Sequence, residues 1–189
     1  MNLPKIIGFA GPAQSGKSTC ASIAKRLYGY EPRAFADPIR EAMMAIFRLK
    51  PDELNRAKLD SREFRNTGRT MRQLMQTLGT EWGRYEIDTD LWIKIQAQRI
   101  ASEPDLTRFV YHDVRFQNEL DWIHAQGGRV IFVQRQMAGK LDAHASEALN
   151  MRGYDSILFN HYGLDDLEAS VKHVVEALAT MSKGPGIPG

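Results

Sequence analysis

The stretch Ile6-Ile7-Gly8-Phe9-Ala10-Gly11-Pro12-Ala13-Gln14-Ser15-Gly16-Lys17-Ser18-Thr19 constrains this chain more than any other. An apolar run meets a glycine-punctuated turn and then a helical pattern, so it reads as buried strand, loop and helix. Gly11, Gly16, Lys17 and Ser18 fill the spacing G-x-x-x-x-G-K-[ST] of a phosphate-binding loop. Glycines let successive backbone N–H groups turn inward around a phosphate, and the following helix N-terminus favours anions. Lys17 adds a point charge toward β- and γ-phosphates, and Ser18 offers a hydroxyl to Mg²⁺. Gly11, Ala13, Gln14, Ser15, Gly16, Lys17, Ser18 and Thr19 are therefore the candidate nucleotide-binding residues.

The rest of the chain supplies the frame such a loop needs. Lys17 to Tyr28 is helical by period and closed by Gly29. Arg33 to Ala36 is a short strand candidate, and Asp37-Pro38 reads as a cap and first residue of a helix that stops before Pro51. Residues 50–69 are charged and poorly periodic, an exposed excursion with some helix. Thr70 to Leu78 is amphipathic, with Met71, Leu74, Met75 and Leu78 as its apolar stripe and Gly79 as its stop. A helix opens at Asp88-Thr89-Asp90, and Phe109 to Asp113 is a strand ending on an acid. A short helix over 119–125 is stopped by Gly127-Gly128, strands follow at 129–133 and 156–159, and the last helix runs to Met181. Strands alternating with helices predict a five-stranded parallel sheet flanked by helices, an α/β P-loop NTPase fold. It forms a single domain over 1–181, with insertions at about 38–88 and about 135–153. Residues 182–189 are a Gly/Pro-rich tail expected to be disordered.

Composition narrows the setting. A length of 189 residues suits one domain, and a net charge of +2 argues for neither nucleic acid nor membrane as a partner. The one cysteine, Cys20, rules out an internal disulfide and reads as a small buried residue of the first helix. No secretory signal and no apolar run of membrane-spanning length are found, so a cytoplasmic location is expected.

Beyond the loop, Asp113 at a strand's carboxyl end can hold Mg²⁺ or its waters, or else cap the next turn. Val114 follows it, where a motor-type hydrolase would place a second acid. That suits phosphoryl transfer to a bound acceptor, in which positioning and charge neutralisation do most of the catalysis. Arg115 offers a planar fork for phosphate, or an i,i+4 ion pair with Glu119. Arg69, Arg72 and Gln76, spaced by three and four, either form a solvated helix face or read a phosphate and a base edge. Trp82 lies just past that helix and is a candidate base neighbour. Arg135 and Lys140 lie where a loop could close over phosphates. His144 has no His or Cys at ligand spacing, so no metal site is expected there.

Together, Gly11 to Thr19, Phe35-Ala36-Asp37-Pro38, Arg72 to Glu81, Asp113-Val114-Arg115-Phe116-Gln117-Asn118-Glu119 and His144-Ala145-Ser146-Glu147 resemble the bacteriophage deoxynucleoside monophosphate kinases. The Arg-Gln-Leu-x-Gln-x-x-Gly-Thr-Glu and Asp-Val-Arg-Phe-x-Asn-Glu stretches carry the resemblance; the phosphate loop is generic. It implies transfer of the γ-phosphoryl of ATP, with Mg²⁺, to a deoxynucleoside monophosphate. Asp37, Arg69, Arg72 and Gln76 would face the monophosphate, with the insertion at about 38–88 binding the acceptor. Lys17, Asp113, Arg115 and Arg135 would serve the reaction centre, and 135–153 would be a lid. Another P-loop small-molecule kinase such as a dephospho-coenzyme A kinase is the alternative, as is a P-loop ATPase or nucleotide switch. The guanine-reading Asn-Lys-x-Asp string is absent. The oligomeric state is left open, a homodimer included.

Overall fold

β1 (Ile6–Ala10) is buried along its whole length, as a continuous apolar run between two covered faces requires. In the computed structural model, which describes residues 2–105, 107–135, 152–161 and 163–180, it is the central strand of a five-stranded sheet. The order is β2-β3-β1-β4-β5, with β2 at Glu31–Arg33, β3 at Phe109–Val114, β4 at Arg129–Gln134 and β5 at Ser156–Phe159. All neighbours are parallel. Alternate β1 residues serve opposite faces. Ile7 and Phe9 join the cluster built with α1 (Lys17–Tyr28) and the C-terminal helix over Leu164–Thr180. On the other face a Cβ at Gly8 would lie 2.7 Å from Ile123, on the helix Gln117–Ala125.

The second strand sits earlier than the sequence predicts. Glu31, Pro32 and Arg33 pair with Phe109, Val110 and Tyr111, while Ala34 and Phe35 are buried just beyond the strand end. An edge strand tolerates a proline and charges, so the apolar run marks a buried turn and not the strand.

Parallel strands send every carboxyl end to the same edge of the sheet. β1 there leads to Gly11, β3 to Arg115, β4 to Arg135 and β5 to Asn160. Ligands of open α/β sheets bind at that edge.

The opposite edge carries a polar tie. Asp155 Oδ2 accepts from Val130 N at 2.7 Å and from His124 Nε2 at 2.8 Å, and Arg129 Nε lies 3.4 Å from Oδ1. Burial alone would raise the Asp155 pKa, but the His124 and Val130 hydrogen bonds and the His124 and Arg129 charges outweigh it and hold it below the ordinary value. A depressed carboxylate contributes stability above its unfolded pKa of about 3.9, lost as the pH falls through the lower folded value. Asp155→Asn should therefore destabilise the protein by about 1–3 kcal/mol at pH 7. In urea melts the gap to wild type should narrow below about pH 3.9; a gap independent of pH would refute the ionic account.

Residues Phe35–Ser102 form a separate helical unit. Its helices are α2 (Asp37–Phe47), α3 (Pro51–Leu59), α4 (Met71–Gln76) continuing as a π-helical segment over Thr77–Ile87, and α5 (Leu91–Ala101). Met43, Leu54 and Met71 centre its core, with Phe47, Phe64, Leu74, Met75 and Leu78 packed around them. Arg99 clamps Glu41 with two hydrogen bonds of 2.7 and 2.6 Å, tying α5 to α2. Numbering α6 as Gln117–Ala125 and α7 as Leu164–Thr180 completes the described helices.

Gly79 does not stop the helix. The chain continues through it to Ile87 in wider turns, with Asp88 N donating to Gly83 O at 3.0 Å. The glycines are there for close packing. A Cβ at Gly79 would lie 2.7 Å from Ile39, and one at Gly83 would lie 2.4 Å from the Trp92 ring. Trp92 Nε1 donates to the Gly79 carbonyl at 2.7 Å. Tertiary contact has overridden a local stop signal.

Candidate active site

The phosphate loop is built by backbone conformations that its sequence allows. Gly11 has φ 130°, Gln14 φ 60° and Gly16 φ 104°. Glycine is required at the first and last of these for space as well as conformation. A Cβ at Gly11 would lie 2.3 Å from Val133 O, and one at Gly16 would lie 2.5 Å from Asn160 Nδ2. α1 begins at Lys17 with no acid in its first turn, so its positive end is not neutralised by its own side chains. Cys20, one turn in, is buried and its thiol is pushed up to about 12, chiefly by desolvation. It is an inert packing residue.

Lys17 Nζ donates to the carbonyls of Gly11, at 2.8 Å, and Pro12, which holds the ammonium across the loop. Gln14, Gly16, Lys17, Ser18, Thr19 and Arg135 line one pocket of about 290 Å³. That is near the lower end for ligand sites. Ser15 is fully buried beneath it, with a hydroxyl that has no hydrogen-bond partner among the described residues.

These residues fit a triphosphate with Mg²⁺. Left-handed glycines, an unneutralised helix start, an orphaned buried hydroxyl and two cations suit phosphate oxygens. Mg²⁺ bound with phosphates keeps much of its shell as water and phosphate, so Ser18 and one carboxylate suffice from the chain. Asp113 lies one residue from the end of β3, toward the same carboxyl edge of the sheet, and is only 8 % exposed.

Arg115 follows β3 and is exposed. The predicted Arg115–Glu119 link exists, but not as side-chain ions. Glu119 Oε2 accepts the backbone N–H groups of Arg115 at 2.8 Å and Phe116 at 3.2 Å, capping α6. The guanidinium is thus not committed to that carboxylate. Lys140, His144 and nearly all of the expected lid, 136–151, lie outside the described residues, as does 181–189; Arg135 and Arg152 flank the former.

The model for the deoxynucleotide monophosphate kinase family matches residues 63–171, more than half of the chain. The chain belongs to the deoxynucleotide monophosphate kinase family. A relative from Acanthamoeba polyphaga mimivirus, "Putative deoxynucleotide monophosphate kinase", is 26% identical over 94% of this chain and 99% of its own. The deoxynucleotide monophosphate kinase of Enterobacteria phage T4 is 31% identical over 58% of this chain, which spans only 46% of that longer protein. Among solved structures, a dephospho-CoA kinase from Campylobacter jejuni aligns over 93% of this chain and 97% of its own, with TM-score 0.52 and 14% identity. TT1252 from Thermus thermophilus aligns over 93% and 98%, with TM-score 0.51 and 18% identity. At such identities these two show a shared fold alone.

The family match takes in most of the residues that sequence spacing singles out in the helical unit. Thr70 caps α4 in a reciprocal pair with Gln73: Gln73 N donates to Thr70 Oγ1 at 3.2 Å, and Thr70 N to Gln73 Oε1 at 2.9 Å. That cap sets Arg72 and Gln76 on one exposed face of α4. Arg69 is not on that helix. It precedes the cap, and its carbonyl accepts from Phe64 N at 2.7 Å and Thr67 Oγ1 at 3.0 Å, so helical spacing does not place its side chain. Asp37 is the first residue of α2 and not its cap, which is Ala36; its Oδ1 lies 3.5 Å from Arg40 Nη1. Trp82 is 47 % exposed.

Arg84 and Asn160 are among the buried polar residues that sequence spacing misses. Arg84, 6 % exposed, donates to Thr89 O at 3.0 Å. Asn160 donates to Ser15 O at 2.9 Å. The available signal was position: Asn160 directly follows the last strand, at the edge where ligands bind.

Proposed function

We propose that this chain transfers the γ-phosphoryl group of ATP to a deoxynucleoside 5′-monophosphate, releasing ADP and the diphosphate. The observation that carries this reading is the pocket that gathers Lys17, Ser18, Thr19, Gly16, Gln14 and Arg135 at the carboxyl edge of the sheet of a family member. Mg²⁺, when bound, neutralises charge on the β- and γ-phosphates. Ser18 and Asp113 are its proposed ligands. Loop N–H groups from Ala13 to Thr19 and the Lys17 ammonium hold the triphosphate, while Arg135 adds charge at the pocket rim.

The acceptor's phosphate oxygen forms a bond to the γ-phosphorus as the bond to the β,γ-bridging oxygen breaks. That oxygen is already anionic at neutral pH, so no general base has to remove a proton. Asp37 and, in the insertion at about 38–88, Arg69, Arg72, Gln76 and Trp82 are the proposed acceptor residues. Arg115 is the proposed cation for phosphate at the end of β3, and 135–153 the proposed lid over a single kinase domain acting in the cytoplasm. Among the described residues no helix is long and apolar enough to cross a membrane.

The test is ADP formation against a panel of deoxynucleoside and ribonucleoside monophosphates and dephospho-coenzyme A. ADP release should require a deoxynucleoside monophosphate. Steady release with ATP alone would replace this reading with a hydrolase, and dependence on dephospho-coenzyme A would replace it with the alternative kinase. Arg72→Ala should raise KM for the monophosphate about 10- to 100-fold with KM for ATP unchanged, the cost of one charged hydrogen-bonding group. An unchanged acceptor KM would remove Arg72 from the acceptor site.

A further inference from the structure

Asn160 is buried, 8 % exposed, directly after β5. Its side-chain Nδ2 donates to Ser15 O at 2.9 Å, and its backbone N donates to Gln134 O at 2.8 Å. It thus joins the phosphate loop to the end of β4, one residue before pocket-lining Arg135. The fit at the loop is close, since a Cβ on Gly16 would lie 2.5 Å from Nδ2.

The direction of that hydrogen bond matters. In a trans peptide the C=O and the following N–H point opposite ways. With the Ser15 carbonyl turned to Asn160, the Gly16 N–H is turned away from it. A carbonyl released from Asn160 could instead rotate toward the pocket, where its negative end would repel phosphate oxygens.

We propose that Asn160 is a positioning residue of the phosphate site: its amide holds the Ser15–Gly16 peptide in the orientation that presents the Gly16 N–H, and not the Ser15 carbonyl, to the triphosphate. This rests on the reading that the loop binds a triphosphate. The role requires a donor at that place, not merely a side chain of that volume. Aspartate has the same shape and, ionised, cannot donate.

Calorimetric titration with MgATP and with inorganic tripolyphosphate, alongside KM values and thermal melts, tests it at pH 8. Wild-type protein should bind both. If it binds neither, the triphosphate reading itself fails. If it does bind, Asn160→Ala should weaken both about tenfold, the value of one lost hydrogen bond with its orphaned partner. KM for ATP should rise in step, while KM for the monophosphate stays unchanged. Asn160→Asp should lose at least as much. Wild-type affinity in Asn160→Asp, with loss in Asn160→Ala, would show that shape alone matters and overturn the proposal. A lowered Tm with unchanged affinity in either variant would also overturn it.

Discussion

Lys17→Ala should lower kcat by about 10²–10³-fold, the scale for removing one charge-stabilising donor from a phosphoryl or oxyanion site. It should leave the protein folded. Lys17 opens α1, where alanine is at least as good a helix former, and its ammonium bonds the loop's own Gly11 and Pro12 carbonyls. Removing it exposes those acceptors to solvent at the pocket mouth, not to the core. The expected pattern is a near-native circular dichroism spectrum and melt with turnover almost abolished. Arg135→Ala should cost less, because Arg135 is exposed at the rim while Lys17 is half-buried in the loop. Wild-type turnover in Lys17→Ala would show that transfer does not occur at this loop.

Gly11→Ala should destabilise the protein by about 3 kcal/mol or more, combining strain at positive φ with a steric clash. The φ of 130° disfavours any L side chain, and the new Cβ would lie 2.3 Å from Val133 O. That oxygen belongs to the backbone of β4, which is paired with β1 up to Ala10 and Phe132. No side-chain rotation relieves the contact; β1 and β4 must part where the phosphate loop begins, so triphosphate binding should fall too. Gly29→Ala is the control. Its φ is 70°, but nothing lies within 4 Å of the added methyl, so only about 1 kcal/mol is expected. Equal denaturant midpoints for the two variants would show that the approach to Val133 is not what selects glycine at position 11.

Much of this was legible in the linear chain because its causes are local. The apolar run of β1 with its glycine loop, the glycine stop at 127, and the period of α7 are set by neighbours a few residues away. The acid at 113 and the arginine at 115 are likewise visible as a strand end. The errors have different causes. Ala34 and Phe35 are apolar because they are buried in a turn, and Gly79 is glycine because Ile39, forty residues away, packs on it. Asp37 precedes proline as the first helical residue and not as the cap, a shift of one position.

The sequence by itself determined the loop that turns around phosphates, the helix that follows it and the alternation of strands and helices. Those depend on backbone freedom, hydrogen-bond capping and hydrophobic period, all of which act over one or two turns of chain. Only the tertiary structure decided the strand order, the gathering of Arg135 with Gly16 to Thr19 in one pocket, and the support of Ser15 by Asn160, 145 residues away. Such contacts depend on which strand ends lie side by side once the sheet has formed, and no spacing along the chain encodes that directly.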